Sequence, residues 1–328
     1  MANIAVIGAG IAGIAAAREL ARRGLQVSVF DRGRNVGGRC ATRDNEFSFD
    51  HGAPFFTISD ESFRTEMGML ESLAVVRQWN GRFVEINAGQ MRAAEDRPRY
   101  VGVPGMRRIA ETLATDLEVM NRCEIQSLAV CPQGWRLTNI DDSEVGDYSA
   151  VILAMPPEQA RKLIPADTTI FPQLANTKST PRWVLMITFE TALDMDFDAA
   201  KINNSPLESI VKQTSEPGRG TAESWVISSS QKWAEKRIKS NAEDIANELA
   251  AELRRFTNRK LPNIAHTRAH RWRLAFPQTC LDVPYLWDDD NLIGVCGDWC
   301  QAPSIEGAFM SGTACGVSVA RALAVESV

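Results

Sequence analysis

The pattern of apolar and polar positions changes along this chain and predicts its main elements. A short apolar run at residues 3–7 is followed by closely spaced glycines, a stretch rich in helix formers and a second apolar run at residues 26–30. Further on, β-branched and aromatic residues predict strands at 183–189 and 225–230. Apolar side chains at helical spacing predict an amphipathic helix over residues 241–257. The chain therefore begins with a strand, turn, helix and strand, and continues into a region with its own sheet.

The glycines of the first turn have the spacing of a dinucleotide-binding site. Gly8 would let the chain turn from strand to helix, Gly10 would let the backbone approach a pyrophosphate, and Gly13 would let the helix pack on the strand. The free N–H groups at the start of the helix attract phosphates. Asp31 ends the second strand, 18 residues after Gly13, where its carboxylate can accept hydrogen bonds from a ribose.

Charge and cysteine usage exclude several classes of function. The 328 residues carry a net charge of −5 and no block of Lys and Arg, so we expect no nucleic-acid partner. No apolar run is long enough to span a membrane. The seven cysteines are scattered without a CxxC pair beside only three histidines, which argues against structural zinc and against a disulfide framework. We therefore expect a cytoplasmic protein with no metal, and the sequence indicates no protein partner.

Four further segments resemble the amine-oxidase-like FAD flavoprotein superfamily. Residues 32–42 contain an RxxGGRxxT sequence directly after Asp31, and residues 49–57 read FDHGAPFFT. Near the C-terminus, an apolar run at 292–298 ends in Gly-Asp, and residues 304–312 open a helix of small residues. The two ends of the site lie almost 300 residues apart in the chain, and their joint presence indicates FAD rather than NAD as the cofactor.

This resemblance implies non-covalently bound FAD and assigns its contacts. Arg39 would face the pyrophosphate, Asp298 the ribityl or phosphate chain, and the backbone of residues 305–308 the N1–C2=O edge of the flavin. Ile125 would contact the adenine. The expected FAD-binding residues are Gly8, Gly10, Ile11, Ala12, Gly13, Asp31, Arg32, Gly38, Arg39, Phe55, Phe56, Ile125, Asp298, Ile305, Glu306 and Ala308.

The resemblance also implies the fold class. We expect an α/β protein in which a Rossmann-type FAD-binding domain is joined to a second, sheet-based substrate domain, as in p-hydroxybenzoate hydroxylase and monoamine oxidase. Residues 1–56, 96–164 and 286–328 would form the FAD-binding domain. Residues 57–95 and 165–285 would form the substrate domain, and the pocket would lie between the two.

Candidate substrate contacts are concentrated on a predicted strand at residues 266–273. His270 and Trp272 would share one face of it, because side chains alternate along a strand. Trp272 could stack on a nicotinamide-like ring or belong to the core, and Arg268, Arg271 or Arg273 could meet a pyrophosphate or carboxamide or be solvated. The expected substrate-binding residues are Thr57, Thr180, Arg182, His270 and Trp272, with His270 and Trp272 also the candidates for a catalytic role.

Several further expectations concern the positions of individual residues. Trp183 and Trp225 belong to predicted strands and should be core residues. His51 is expected to be packed and hydrogen-bonded rather than a base. Thr180 and Arg182 should lie just before a strand. The acidic run at residues 288–290 should form a solvated turn.

Within the superfamily, the compact chain most resembles the bacterial renalases, through residues 49–57 and 270–275. This resemblance implies an oxidase of the 1,2- and 1,6-dihydro isomers of NAD(P)H, which yields NAD(P)⁺ and reduces O₂ to hydrogen peroxide. A flavin amine oxidase or a carotenoid-type desaturase is the alternative. A protein of another class, a non-catalytic binding protein that retains the FAD fold, is a third possibility. The sequence does not indicate which isomer, or which of NAD and NADP, is preferred.

Overall fold

Two large sheets organise the chain in a computed structural model that describes residues 2–325. The strands are β1 (Asn3–Ile7), β2 (Gln26–Asp31), β3 (Thr42–Asp44), β4 (Ser48–Asp50), β5 (Val76–Gln78), β6 (Phe83–Asn87), β7 (Gln90–Ala93), β8 (Tyr100–Gly102), β9 (Glu118–Asn121), β10 (Ile125–Cys131), β11 (Gly134–Asn139), β12 (Glu144–Tyr148), β13 (Ala150–Leu153), β14 (Ser179–Phe189), β15 (Ala199–Asn203), β16 (Leu207–Lys212), β17 (Glu223–Ser229), β18 (Ile264–Pro277), β19 (Leu286–Asp288) and β20 (Ile293–Val295). The helices are α1 (Ile11–Arg22), α2 (Glu61–Ser72), α3 (Arg107–Leu113), α4 (Pro157–Leu163), α5 (Phe171–Ala175), α6 (Gln231–Lys236), α7 (Ala242–Thr257) and α8 (Ile305–Val325). None of these helices is long and apolar enough to cross a membrane.

The first sheet has six strands in the order β19-β20-β13-β1-β2-β9 and is parallel except for β19. Residues 4–7 of its central strand are all buried, which explains their uninterrupted apolar sequence. Helices α1 and α8 pack so closely that a Cβ on Gly312 would lie 1.9 Å from the carbonyl oxygen of Ala12. Small residues on α8 therefore let the C-terminal helix lie against the first one.

The second sheet has seven strands in the order β18-β14-β17-β16-β15-β6-β7. One of its faces packs against α7, and Trp183 and Trp225 are buried there as expected. The other face carries Val184 and Met186, which pack with Phe49 of the β3–β4 hairpin. This second face is the one that is turned toward the N-terminal segments of the cofactor site.

The predicted domain division remains our proposal. It puts the six-stranded sheet in one domain and the seven-stranded sheet in the other. The strand predicted at 183–189 is confirmed within β14, and the helix predicted at 241–257 is confirmed as α7. A smaller antiparallel sheet of β10, β11 and β12 was not predicted.

Two local expectations are wrong. Thr180 and Arg182 do not precede the strand but lie inside β14, which begins at Ser179. The acidic run at 288–290 is not fully solvated, since Asp288 ends β19 and is buried. Its carboxylate accepts hydrogen bonds from the backbone N–H and hydroxyl of Thr169 at 2.8 and 2.9 Å. A buried carboxylate with such donors has a structural role that charge patterning alone does not reveal.

Candidate active site

The glycine turn between β1 and α1 is closely packed except at one residue. Gly8 has a φ of +112°, and a Cβ on it would lie 2.3 Å from the carbonyl oxygen of Ala154. A Cβ on Gly13 would lie 1.8 Å from the carbonyl oxygen of Gly8. Gly10 is the N-cap of α1 and provides no side-chain cap, and a Cβ there would meet no atom within 4 Å. The first N–H groups of α1 therefore border an open space that an anion can enter.

Asp31 links the end of β2 to this turn. One oxygen of its carboxylate accepts a hydrogen bond from the N–H of Ala9 at 2.7 Å, and the other accepts one from the N–H of Gly33 at 2.6 Å. A carboxylate has about four acceptor sites, so a ribose can still bind to it. The neighbouring Arg32 is exposed and lies 4.0 Å from Glu124.

Several of the expected FAD contacts have buried side chains. Ile11, Ala12 and Ile125 are each 6% exposed and belong to the hydrophobic core. Ile125 packs in the cluster that contains Phe30, beneath the end of β2. Since their side chains are occupied in packing, these residues can contact a cofactor mainly through their backbones.

Arg39 and Asp298 bind each other and join the two distant halves of the site. The two guanidinium N–H groups donate to the two carboxylate oxygens at 2.8 and 2.6 Å. Arg39 also donates to the carbonyl oxygen of Ala275 on β18. A Cβ on Gly38, whose φ is +56°, would lie 3.3 Å from the Cα of Gly10. The residues expected to hold the pyrophosphate and ribityl chain therefore lie beside the open glycine turn.

The start of α8 has a cap of its own. The hydroxyl of Ser304 accepts a hydrogen bond from the N–H of Gly307 at 2.9 Å. The backbone carbonyl oxygen of Ser304 accepts one from the N–H of Ala308 at 3.0 Å. These bonds leave the N–H groups of Ile305 and Glu306 for a ligand. The expected contact between Ala308 and the flavin would then have to come from its side chain rather than from its N–H group.

Glu306 holds a neighbouring segment in place. Its carboxylate accepts hydrogen bonds from the N–H and hydroxyl of Ser59 and from the N–H of Asp60, each at 2.7 Å. Asp60 in turn caps the start of α2 by accepting from Ser62 and Phe63. The side chain of Glu306 thus fixes the chain before α2, and only its backbone is available to a cofactor.

An aromatic cluster lies beside the segment that follows β4. Phe55 packs on Trp79 and Phe83, with ring centroids 6.0 and 5.8 Å away, whereas Phe56 is buried in the core. The guanidinium of Arg99 lies 4.1 Å from the ring centre of Phe83 and 5.9 Å from that of Phe55. The rings of this cluster therefore already bind a cation that belongs to the protein.

His51, His270 and Trp272 form a compact group beneath the second face of the large sheet. The indole N–H of Trp272 donates to the carbonyl oxygen of His51 at 2.8 Å, and the His51 ring is stacked at 5.6 Å from the indole. His270 lies 4.6 Å from Trp272 and 4.8 Å from His51. The expectation that His270 and Trp272 share one face is thus confirmed, and the indole of Trp272 is held in a fixed orientation.

Neither histidine of this group is charged at neutral pH. Burial, then the neighbouring His270 and Arg43, lower the pKa of His51 to about 3. Burial, followed by Arg43 and Arg268, lowers the pKa of His270 to about 4. Both rings are therefore weak bases at pH 7. The charges of the neighbouring arginines make the electrostatic potential around them positive.

The other expected substrate contacts already have partners, apart from Thr57, which is half-buried. Arg182 forms an ion pair with Glu208 at 2.6 Å and lies 4.6 Å above the ring centre of Phe276. The Nε of Arg182 is buried without a hydrogen-bond partner. Thr180 is buried, and its hydroxyl donates to the carbonyl oxygen of Phe276. Arg182 can therefore still donate to a ligand, whereas Thr180 is largely satisfied within the sheet.

Of the three arginines considered on β18, Arg271 is engaged elsewhere. Its guanidinium donates to the carbonyl oxygen of Ile238 and lies 5.4 Å from the ring centre of Trp183. Arg273 is exposed, and side-chain alternation puts it on the same face as Arg271. Arg268 is the one that shares the face of His270 and Trp272.

A buried charged cluster beside the site was missed by sequence reasoning. Asp50 is fully buried and accepts hydrogen bonds from the hydroxyl of Thr42 and the guanidinium of Arg219. Glu216 accepts from Arg219 and from Gln213 at 2.9 and 2.7 Å. Burial and the charge of Asp50 outweigh these bonds and raise the pKa of Glu216 to about 8. Nothing in the sequence around Arg219 or Glu216 marks them as partners of the FDHGA segment.

Comparison with known proteins identifies the family. The profile of the flavin-containing amine oxidoreductases matches residues 79–319, and that of an NAD(P)-binding Rossmann-like domain matches residues 6–70. This chain belongs to the flavin-containing amine oxidoreductase family. It is an α/β protein with a Rossmann-like nucleotide-binding domain, and its cofactor is FAD.

Solved structures share the fold over the whole chain. Cyclohexylamine oxidase from Brevibacterium oxydans IH-35A superposes with a TM-score of 0.75 at 12% identity. The superposition covers 98% of this chain and 99% of the oxidase. A protein from Exiguobacterium sp. 255-15 described as a candidate protoporphyrinogen oxidase has a TM-score of 0.78 at 11% identity, with coverage of 98% and 99%. At such identities the likeness concerns the fold alone.

A curated relative matches over a short segment. The 4,4'-diapophytoene desaturase of Staphylococcus haemolyticus (strain JCSC1435) is 43% identical over 58 residues. The match covers 17% of this chain and only 12% of the desaturase. It therefore bears on one segment and not on the reaction of the whole protein.

The residues present fit FAD. The open space at Gly10 lies where the uncapped N–H groups of α1 can receive a pyrophosphate, and the Arg39–Asp298 pair lies beside it. Asp31 can hold the adenosine ribose, and the N–H groups of Ile305 and Glu306 can face the flavin ring. FAD bound in this way would supply the redox chemistry, and the protein would supply the orientation of the substrate.

Proposed function

We propose that this chain is an oxidase of dihydronicotinamide dinucleotides, acting on the 1,2- or 1,6-dihydro isomers of NAD(P)H. The reaction yields aromatic NAD(P)⁺, with the flavin as the hydride acceptor and O₂, reduced to H₂O₂, as the final electron acceptor. The substrate gains aromaticity when it loses hydride. The protein therefore has to position the ring rather than to remove a proton from it.

The fixed indole of Trp272 is the observation that carries this proposal. Its hydrogen bond to the carbonyl oxygen of His51 at 2.8 Å sets the orientation of a flat apolar surface on the inner face of the large sheet. A dihydropyridine ring is also flat and can stack on the face of the indole opposite to the His51 ring. His51 and His270 flank it with pKa values of about 3 and 4, so neither is a useful general base at pH 7. A site without a base suits a reaction that needs none.

An amine oxidase is the second candidate, because the family and several structural relatives act on amines. Such an enzyme needs aromatic rings that receive an amine beside the flavin. The cluster of Phe55, Trp79 and Phe83 already binds the guanidinium of Arg99. Two of the three tyrosines, Tyr100 and Tyr148, are buried, and the third, Tyr285, packs against the core of the six-stranded sheet. This arrangement favours the dinucleotide substrate.

The test is reduction of the bound flavin without oxygen. The yellow protein is mixed anaerobically with borohydride-generated isomers of NADH, and the flavin absorbance is followed at about 450 nm. We expect rapid bleaching by the isomers and slow or no bleaching by ordinary NADH, benzylamine and cyclohexylamine. Bleaching by an amine alone would favour the amine oxidase. If no compound reduced the flavin, the chain would be a non-catalytic FAD-fold binding protein.

The cellular compartment is part of the same proposal. All seven cysteines are free in the structure. Free thiols persist in reducing compartments, and we therefore place the protein in the cytoplasm.

A further inference from the structure

Two arginines without an ion-pair partner among the described residues lie on the β3–β4 hairpin and on β18. These two segments pack together, because the rings of Phe47 and Phe49 lie 5.6 and 5.9 Å from the ring of His266. Arg43 belongs to β3 and Arg268 to β18. The Nε of Arg43 is buried and has no hydrogen-bond partner. Burial and, after it, the charge of Arg268 lower the pKa of Arg43. Neither forms an ion pair with any residue in the described range 2–325. Like charges held together in this way favour an anion between them.

Two uncharged histidines connect these arginines to Trp272. The charges of Arg43 and Arg268 both reach His270 and contribute to its low pKa. His51 lies 4.8 Å from His270, and its Nδ1 is buried without a hydrogen-bond partner. We call these four side chains, Arg43, Arg268, His51 and His270, the cationic cluster. The cluster combines the positive charges of its two arginines with neutral imidazoles that do not offset them.

The carboxylates near the cationic cluster are engaged elsewhere. Asp44 follows Arg43 in the chain but forms an ion pair with Arg107 at 2.7 Å and accepts from Ser48 at 2.6 Å. Asp50 is buried against Arg219. Because these two acids have other cationic partners, they leave the charge of the cluster uncompensated, and the missing negative charge would have to come from a ligand.

We propose that the cationic cluster binds a phosphoryl group and that, in the substrate complex, this group belongs to the dinucleotide whose ring stacks on Trp272. The planar guanidinium groups of Arg43 and Arg268 can each donate two hydrogen bonds to phosphate oxygens. Along β18, Trp272 and Arg268 are four residues or about 13 Å apart, a distance that the ribose and pyrophosphate of a dinucleotide can span. The identity of the ligand rests on the proposed function, whereas the anion site itself does not.

The test measures binding of inorganic phosphate, pyrophosphate and NAD⁺ to the FAD-loaded protein by calorimetry. Arg43→Gln and Arg268→Gln should each weaken pyrophosphate and NAD⁺ binding at least about tenfold, as expected for loss of a charged hydrogen bond. Arg43→Lys should recover part of the loss by restoring the charge. Arg92→Gln is the matched control, because Arg92 is exposed on β7, the opposite edge strand of the same sheet. FAD content and the thermal midpoint show whether each variant is folded.

A second readout does not depend on turnover. Phosphate bound at the cluster would offset the charges of Arg43 and Arg268, so it should raise the pKa of His270 in NMR titrations of the imidazole signals. The same titration of Arg43→Gln should show a higher starting pKa and a smaller response to phosphate. A His270 signal that is insensitive to phosphate in the unmodified protein would contradict the anion site.

The source of the phosphoryl group is decided by competition. If NAD⁺ displaces pyrophosphate and both ligands lose affinity in Arg43→Gln, the dinucleotide assignment is supported. If phosphate binds but NAD⁺ does not displace it, the anion site stands and the dinucleotide assignment is overturned. If the Arg43 and Arg268 variants bind every anion as well as Arg92→Gln does, the site is overturned. If phosphate binds but the isomers fail to reduce the flavin, the anion site stands and the proposed function fails.

Discussion

Replacement of Gly10 by alanine should separate cofactor binding from folding stability. A Cβ at Gly10 would have no atom within 4 Å, and the residue has φ −74° and ψ 176°, which any L-residue adopts. Alanine restricts the unfolded chain but is a poorer N-cap than glycine, and the two effects nearly cancel. We therefore expect the free energy of unfolding of the apoprotein to change by less than about 1 kcal/mol.

The same methyl group should weaken FAD binding considerably. It would enter the space that borders the N–H groups of α1, where we place the pyrophosphate. Displacing the pyrophosphate forfeits a charged hydrogen bond and part of its interaction with the helix dipole, together about 2 kcal/mol, or about 30-fold in Kd. Gly10→Val should abolish binding, because its branched side chain fills more of the space.

Titration of apoprotein with FAD, followed by quenching of flavin fluorescence, measures the Kd, and urea unfolding measures stability. Gly312→Ala is the control with the opposite pattern. Its Cβ would lie 1.9 Å from the carbonyl oxygen of Ala12, so it should destabilise the fold by about 1–3 kcal/mol. A Gly10→Ala protein with the Kd of the unmodified chain would show that the pyrophosphate does not lie over this turn.

Three other variants test separate parts of the site. The pKa of Glu216 is raised from 4.5 to about 8 on folding, so the stability it provides is complete below pH 4.5 and lost as the pH rises through 8. Between pH 4.5 and 8 the free energy of unfolding should therefore fall by about 1.4 kcal/mol per pH unit. Glu216→Gln should remove this pH dependence, measured by urea unfolding. If the variant keeps the same pH dependence, other groups cause it. Asp298→Asn should leave Arg39 incompletely paired, cost about 2 kcal/mol of stability and weaken FAD binding, whereas Arg92→Gln, at an exposed residue of β7, should do neither. Trp272→Ala should raise the substrate concentration needed for half-maximal flavin reduction by about tenfold without loss of FAD; unchanged reduction kinetics would make Trp272 a core residue only.

The nucleotide half of the site could be predicted from sequence because its backbone geometry restricts residue type. Gly8 and Gly13 would bring a Cβ within 2.3 and 1.8 Å of carbonyl oxygens, so only glycine is tolerated there. Such restrictions act over a few consecutive residues and leave a readable spacing. The pairing of Arg39 with Asp298 was not predicted, because each was assigned separately to the cofactor, and a sequence does not show which polar groups also bind each other.

The substrate half was harder to predict for a physical reason. Its residues are brought together by sheet pairing between distant segments, and many residue types are compatible with a strand. Alternation on β18 correctly placed His270 beside Trp272, since that relation is local. The approach of Arg43 and of Arg219 depends on how the β3–β4 hairpin packs against the sheet, and no local pattern encodes that packing. Asp288 was misjudged for the same reason, because its partner Thr169 lies 119 residues away.

The charge around Trp272 bears on the choice between the two candidate substrates. Amines are mostly protonated at neutral pH, and a cation that approaches Trp272 would meet Arg43 and Arg268 without a carboxylate to offset them. The nearby histidines have pKa values of about 3 and 4, so they could not efficiently take up the proton that an amine must lose before oxidation. A dinucleotide brings negative charge to the same region. The hydrogen on its reacting carbon leaves as hydride, so no proton has to be removed there. The electrostatics that disfavour an amine therefore favour a phosphorylated dihydropyridine.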